Sequence, residues 1–329
     1  MIEKRVLGKT GLEVSRLALG GLFTSSYGGE LKQSIETVHR AIELGVNYID
    51  TAPAYFDSEV VLGKALQTID APVVMSTKLG GRPKPFDPKD KDLLRRSFDQ
   101  SCEDLGRDTI EILFVHEPDR PGQYNWWNGA DDYQGPVLEL LHELKSEGRI
   151  KALGLGGTTA YKMTRLVETG LFDVLLTAAN YSILWREAEI ELLPAAKKHG
   201  VAVVAGTPLQ QGALARRWDA EIKDGCSWMA PPRRKQFLAF YELLDSLDMS
   251  LIELAHRFVL SHPDIDCVLS GARSVSEIEG NVAAVQGGPL PAGVLKQLDD
   301  IAAMVPFRPY DEPTVLPFSG SYLGPAELR

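Results

Sequence analysis

Four ionisable side chains in this 329-residue chain stand at or just past the ends of short apolar runs, and their types suit a shared task. Asp50 closes "VNYID", Tyr55 follows it on a turn stiffened by Pro53, Lys78 closes "VVMSTK" and His116 closes "EILFVH". A phenol with a pKa near ~10 is a poor acid at neutral pH unless a neighbouring cation stabilises its phenolate. Lys78 would supply that cation, and Asp50 would hold it charged and in place. His116 would then hydrogen-bond a substrate oxygen and set its geometry. This is proton transfer coupled to another step. Each residue also has an ordinary reading: a strand-end Asp caps a helix or pairs an ion, a His after an apolar strand is structural, a Tyr is a core aromatic, and a Lys snorkels. What outweighs those readings is their arrival on consecutive strands at one rim.

Competing chemistries lack their residues. No nucleophilic Ser or Cys stands beside a base, no HExxH or other metal-ligand spacing occurs, and Gly154, Gly156 and Gly157 do not complete GxGxxG. A formal charge of -10 argues against a nucleic-acid footprint, which calls for a basic face. Cys102, Cys226 and Cys267 are odd in number and far apart, as expected of reduced thiols in a cytoplasmic protein. No apolar stretch reaches the length of a signal peptide core or a membrane span. Neither nucleic acid nor membrane is therefore expected as a partner, and the chain is expected to be a monomer or a weak homo-oligomer.

The elements that must position the four residues alternate regularly. After two short strands split by Gly8-Lys9-Thr10-Gly11, strands are expected at 16–18, 47–50, 73–77, 110–115, 152–154, 174–177, 201–205 and 267–269. Helices are expected at 34–44, with Ser34 as cap, and at 59–66, 89–105, 136–147, 160–169, 188–199, 235–247, 251–261, 276–285 and 291–302. Short β-branched runs alternating with helical periods signal βα units on a parallel sheet. Eight such units without a dividing linker favour one α/β domain over residues 1–329. The expected architecture is a single (β/α)8 TIM barrel with an N-terminal β-hairpin and extra C-terminal helices. The long loops 117–135 and 206–234 both follow strands, so both rise over the C-terminal face where active sites of such barrels lie. The Pro- and Gly-rich tail from Pro306 is expected to fold back over the same mouth.

"YIDTAPAY", "STKLG" and "LFVHEPD", with their Asp50, Tyr55, Lys78 and His116, resemble the aldo-keto reductase family, and the match runs from "LGKTGLEVSRLALGG" to "GARSVSEIEGNV". The resemblance implies a barrel that binds NAD or NADP across its mouth and moves a hydride between nicotinamide and a carbonyl or alcohol carbon, with Tyr55 handling the proton. It also implies cofactor contacts. "GTPLQQGAL" is similar to the family's pyrophosphate loop, which places Gly206, Thr207, Pro208 and Leu209 there. "SGARSVSEIEGN" is similar to the adenosine loop, with Gly271, Ala272, Arg273, Ser274, Glu277 and Asn281, and the helix it opens suits a phosphate.

Departures from the family pattern are confined to the cofactor side. A usual Ser-Asn pair is Gly156-Gly157, a usual Gln is Ala178 with Asn180 as substitute, the nicotinamide-stacking aromatic is Gly206, and a usual Glu is Gly280. The chain resembles the aldose 1-dehydrogenase, L-galactose dehydrogenase and pyridoxal dehydrogenase relatives, which implies a small sugar hemiacetal or aldehyde as substrate. Two alternatives stay open. One is a non-catalytic nicotinamide-nucleotide-sensing subunit on the same fold. The other is a Schiff-base lyase using Lys78, disfavoured because an ion-paired ammonium is a poor nucleophile. For substrate contacts, Phe23 and the tryptophans Trp126 and Trp127 are expected to wall a pocket beside His116, with Trp228 facing them. A loop packing its own tryptophans against the barrel rim is the competing expectation.

Overall fold

The computed structural model describes residues 2–308 apart from Pro83 and Ala130, together with Glu312, Leu316 and Phe318. An antiparallel pair, β1 (Lys4–Val6) and β2 (Glu13–Ser15), precedes eight parallel strands that close into a barrel. These are β3 (Leu17–Gly20), β4 (Tyr48–Asp50), β5 (Val74–Leu79), β6 (Ile112–His116), β7 (Ala152–Gly157), β8 (Val174–Ala178), β9 (Ala202–Gly206) and β10 (Cys267–Gly271). Each lies beside its successor, and β10 pairs with β3 to shut the cylinder.

Around it run α1 (Leu31–Glu43), α2 (Ser58–Leu66), α3 (Lys91–Leu105), α4 (Pro136–Ser146), α5 (Ala160–Glu168), α6 (Leu192–His199), α7 (Asp219–Asp224), α8 (Pro231–Asp245), α9 (Leu251–Ser261), α10 (Val275–Gln286) and α11 (Ala292–Ala302). Their stripes explain their docking. In α1 the buried residues are Ser34, Thr37, Val38 and Ala41, spaced for one face of a 3.6-residue helix. Asp90 caps α3 by accepting from Leu93 N at 2.9 Å.

Inside the barrel, alternate residues of each strand interdigitate: Ala18, Tyr48, Ile112, Phe114, Ala152, Val174, Leu176, Ala202, Val204 and Cys267 form one buried cluster. Their neighbours point outward into the larger core beneath the helices. Gly154 belongs to the inner row because the Phe114 ring lies against it; a Cβ there would fall 2.3 Å from Phe114 Cδ1. The parity carries upward. Asp50, Lys78 and His116 continue the inner row to the C-terminal rim, as do Gly156, Ala178, Gly206, Gly271 and Gly20.

Several boundaries differ from the sequence expectation, each for a packing reason. Strand pairing runs further up, because His116 registers with Gly156 and Gly271 with Gly20. Helix α1 starts three residues before Ser34, which is buried inside the first turn instead of capping it. A 3-10 turn at Glu187–Glu189 precedes α6, and α7 lies within the stretch expected to be irregular. The tail's expected return over the mouth falls largely outside the described residues. Within them, Arg233 holds Glu312 through Nε at 2.6 Å and Nη2 at 2.8 Å, and Phe318 stacks on Trp218 at 5.0 Å. Among the described residues no helix is long and apolar enough to cross a membrane.

Candidate active site

Asp50, Lys78 and His116 end three adjacent strands and face the barrel axis, and Tyr55 joins them from the turn after β4. The Lys78 ammonium donates to Asp50 Oδ2 at 2.6 Å and to the Thr51 carbonyl at 2.7 Å. It lies 4.7 Å from the centre of the Tyr55 ring. The Tyr55 ring meets the His116 imidazole edge-on at 6.0 Å. Asp50 and Lys78 are buried, whereas Tyr55 and His116 are half-buried and open to the mouth.

A second row braces the carboxylate. Ser76 Oγ donates to Asp50 Oδ1 at 2.6 Å, and the Tyr48 hydroxyl lies 3.1 Å from Ser76 Oγ. Both were missed in the sequence, although the period of a strand marks them. Tyr48 stands two residues before Asp50, and Ser76 two before Lys78, so each shares its partner's face. Trp126 is likewise supporting. It is fully buried and its Nε1 donates to the His116 carbonyl at 3.1 Å, fixing the backbone that presents the imidazole.

Electrostatics follow from this packing. Burial lowers the Lys78 pKa, but Asp50 and Tyr55 together outweigh it and leave the ammonium above the ordinary lysine value. Burial raises the Tyr55 phenol by more than Lys78 lowers it, so it holds its proton through the neutral range. Burial first, then the Lys78 and Arg120 cations, push the His116 imidazole down to about 3, so it is neutral. The group thus contains one permanent cation, one phenol and one neutral imidazole.

Backbone strain gathers at the same face. Among the described residues, the non-glycine residues with left-handed φ are Phe56, Glu117, Ala179, Thr207, Gln210 and Gln211. All lie in loops that leave the C-terminal ends of barrel strands, and Glu117, Ala179 and Thr207 directly follow β6, β8 and β9. Such conformations cost on the order of 1–3 kcal/mol each and persist where surrounding structure enforces them.

The remaining expected residues divide. Gly156 points inward, and a Cβ there would sit 3.9 Å from Lys78 Cε. Gly206 faces Leu176 and Ala178, and a Cβ there would stand 3.5 Å from each side chain, so nothing projects from this sector. Thr207, Pro208 and Leu209 lead into Gln210, which is fully buried with both amide ends lacking a partner. Gly271 and Ala272 end in Arg273, whose guanidinium lies 4.7 Å from the centre of the Phe23 ring. The Ser274 hydroxyl caps α10, and Glu277 turns back to accept from Arg273 N at 2.8 Å. Asn281 is buried and donates to the Gly271 carbonyl at 3.1 Å.

Three residues lie elsewhere than expected. The left-handed Ala179 turns Asn180 away from the axis, where its amide donates to the outward-facing Thr177 hydroxyl at 3.0 Å. Asn180 instead borders a cleft of about 360 Å³ between α5 and the loop after β8. Trp127 packs on Tyr133 and on Phe172, a residue just before β8 at the opposite end of the barrel. Trp228 packs edge-on against Phe318 at 5.2 Å and does not face Trp126 or Trp127. The tryptophans of the long loop are thus buried among protein neighbours, with the Trp127 Nε1 lacking a partner among the described residues.

The side-chain-free sector and the orphaned Gln210 amide fit an extended nucleotide lying across the mouth, with Gly206–Leu209 and Gly271–Ser274 positioned to hold it. Known proteins resemble the chain along most of its length. Residues 16–303 match the Aldo/keto reductase family. L-galactose dehydrogenase from Arabidopsis thaliana is 31% identical over 295 residues, spanning 86% of this chain and 88% of that protein. Pyridoxal 4-dehydrogenase from Microbacterium luteolum is 29% identical, over 85% of this chain and 92% of its own. Among solved structures, the holo form of aldo-keto reductase AKR11C1 from Bacillus halodurans superposes with a TM-score of 0.75 at 27% identity, covering 92% of this chain and 97% of that one.

Proposed function

Since this chain belongs to the aldo/keto reductase family and is an NAD(P)-dependent oxidoreductase, we propose that it acts on the carbonyl or alcohol carbon of a small sugar hemiacetal or aldehyde, with Tyr55, Lys78, Asp50 and His116 managing the proton. The observation that carries the reading is the buried ammonium of Lys78 set between Asp50 and the Tyr55 ring. A nicotinamide cofactor held by Gly206–Leu209 and Gly271–Ser274 would supply or accept the hydride.

In reduction, Tyr55 donates its phenolic proton to the carbonyl oxygen as charge builds there. Lys78 stabilises the phenolate left behind, and Asp50 keeps the ammonium charged and aimed. The neutral His116 imidazole donates a hydrogen bond to the same oxygen and fixes its approach. In oxidation the phenol must first lose its proton. Because burial holds the Tyr55 pKa above its ordinary value, the phenolate grows only toward alkaline pH. Reduction should therefore hold its rate across neutral pH, while oxidation should climb as pH rises.

The test is nicotinamide absorbance against a panel of aldoses and aldehydes, with both cofactors in both directions. Turnover of one panel member supports the reading. A protein that binds nicotinamide nucleotides and turns over nothing favours the nucleotide-sensing alternative.

A further inference from the structure

Beside Tyr55 the surface carries an aromatic ladder that neither the fold nor the proton chemistry requires. The Phe23 ring covers the end of β10 so closely that a Cβ at Gly271 would fall 2.4 Å from Phe23 Cδ2. Tyr27 stacks on Phe23 with centroids 5.8 Å apart, and Phe56 stacks on Tyr27 at 5.2 Å with the rings only 6° from parallel. The Arg273 guanidinium closes the other end over Phe23. Order along the ladder is therefore Arg273, Phe23, Tyr27, Phe56, running from the loop after β10 to the residue after Tyr55.

The ladder is exposed yet held rigidly. Tyr27 is 59% and Phe56 64% exposed, so the outermost rings gain little from burial in the protein itself. The two loops are tied together by Asp57 Oδ1, which accepts from Ser26 N at 2.7 Å. The turn beneath Tyr27 is closed by Gly28 N donating to the Ser25 carbonyl at 2.9 Å. Phe56 moreover holds a left-handed φ of 53°, a conformation that bulky side chains seldom adopt. A strained, solvent-facing aromatic next to the proton donor is the kind of outlier that argues for a ligand contact.

We propose that Tyr27 and Phe56 form a platform for the six-membered ring that bears or contains the substrate's reacting carbon, and so favour substrates with a flat six-membered face. The inference rests on the reaction proposed above and names its specificity device. Aromatic faces recognise two kinds of ring through the same contact: an aryl group by offset stacking, and a pyranose through its C–H surface.

Phe56→Gly is the variant of choice, because glycine accepts a left-handed φ without strain and the ring is removed from a relaxed turn. Steady-state kinetics should compare, as ring-bearing probes, 4-nitrobenzaldehyde in reduction and an aldohexose in oxidation of its pyranose hemiacetal, with reduction of methylglyoxal as the ringless one. KM for the preferred ring-bearing probe should rise roughly five- to tenfold, the range expected for losing one aromatic contact, while kcat/KM for methylglyoxal stays within about twofold. Tyr27→Ala should act in the same direction, and Phe56→Tyr should restore the wild-type KM. The probe that responds, aryl or sugar, identifies the kind of ring. Equal losses for ring-bearing and ringless probes would show that the turn merely supports Tyr55, and unchanged kinetics for all three would remove the platform; either result overturns the inference. A wild-type protein that turns over none of the probes would instead overturn the proposed reaction, and the platform with it.

Discussion

The rim of this barrel has two unlike arcs. On β4, β5 and β6 the uppermost inward positions are Asp50, Lys78 and His116, the first two joined by a hydrogen bond of 2.6 Å. On the five strands that complete the circle the corresponding positions are Gly156, Ala178, Gly206, Gly271 and Gly20. Glycine weakens a strand, and in this series only Gly271 has a packing reason, the Phe23 ring lying against it, so stability does not account for the other glycines. The first arc concentrates charge that costs free energy to bury and is held by matched partners for it. The second presents only glycines and the Ala178 methyl, with the Phe23 ring over Gly271, to a molecule lying across the mouth. We infer that proton handling and cofactor holding are separated around one circle, with the neutral His116 at the boundary.

That separation can be broken from either side. The largest effect is expected from Tyr55→Phe, which keeps the ring but removes the proton; turnover should fall by roughly 10²–10⁴-fold, the usual worth of general acid–base help. Asp50→Asn strips the buried Lys78 ammonium of its counter-charge. Urea unfolding should show a loss of roughly 3–5 kcal/mol, the cost of leaving one partner of a buried pair uncompensated. On the bare arc a Cβ at Gly206 meets only ordinary contacts at 3.5 Å, and Gly206→Leu should keep the wild-type circular-dichroism spectrum and melting temperature. It should weaken NAD(P)H binding by about tenfold or more, since about 1.4 kcal/mol of lost contact is enough for that.

The smallest effect concerns cofactor choice. The Glu277 carboxylate lies on the Arg273 N–H at the start of α10, where it repels an added phosphate. Glu277→Gln should shift the NADP/NAD preference toward NADP by roughly two- to fivefold, as for an exposed charge. An unchanged ratio in paired cofactor titrations would remove Glu277 from the adenosine site.

Much of the armed arc was legible in the sequence. Strands announce themselves by short β-branched runs, and a charged residue closing such a run in a βα repeat is carried to the C-terminal rim by the topology alone. The support behind it follows the same alternation, as Tyr48 and Ser76 show. The bare arc was harder to read. Gly156 and Gly206 registered as missing family side chains, because their common inward direction emerges only when strand register is known. Asn180 was misplaced for a conformational reason: the left-handed φ of 59° at Ala179 reverses its direction, and an alanine gives no local signal of that turn. Trp127 and Trp228 found partners distant in sequence, Phe172 and Phe318, which no periodicity in their own loops encodes.

The most direct measurement is titration of reduced cofactor, followed by nicotinamide fluorescence, into Tyr55→Phe and Gly206→Leu beside the wild-type protein. Separate arcs predict a crossed result: Tyr55→Phe binds within about twofold of wild type although its turnover has collapsed, whereas Gly206→Leu loses about tenfold or more in affinity. Loss of affinity in Tyr55→Phe to match its loss of turnover, or wild-type binding by Gly206→Leu, would contradict the division of labour around the rim.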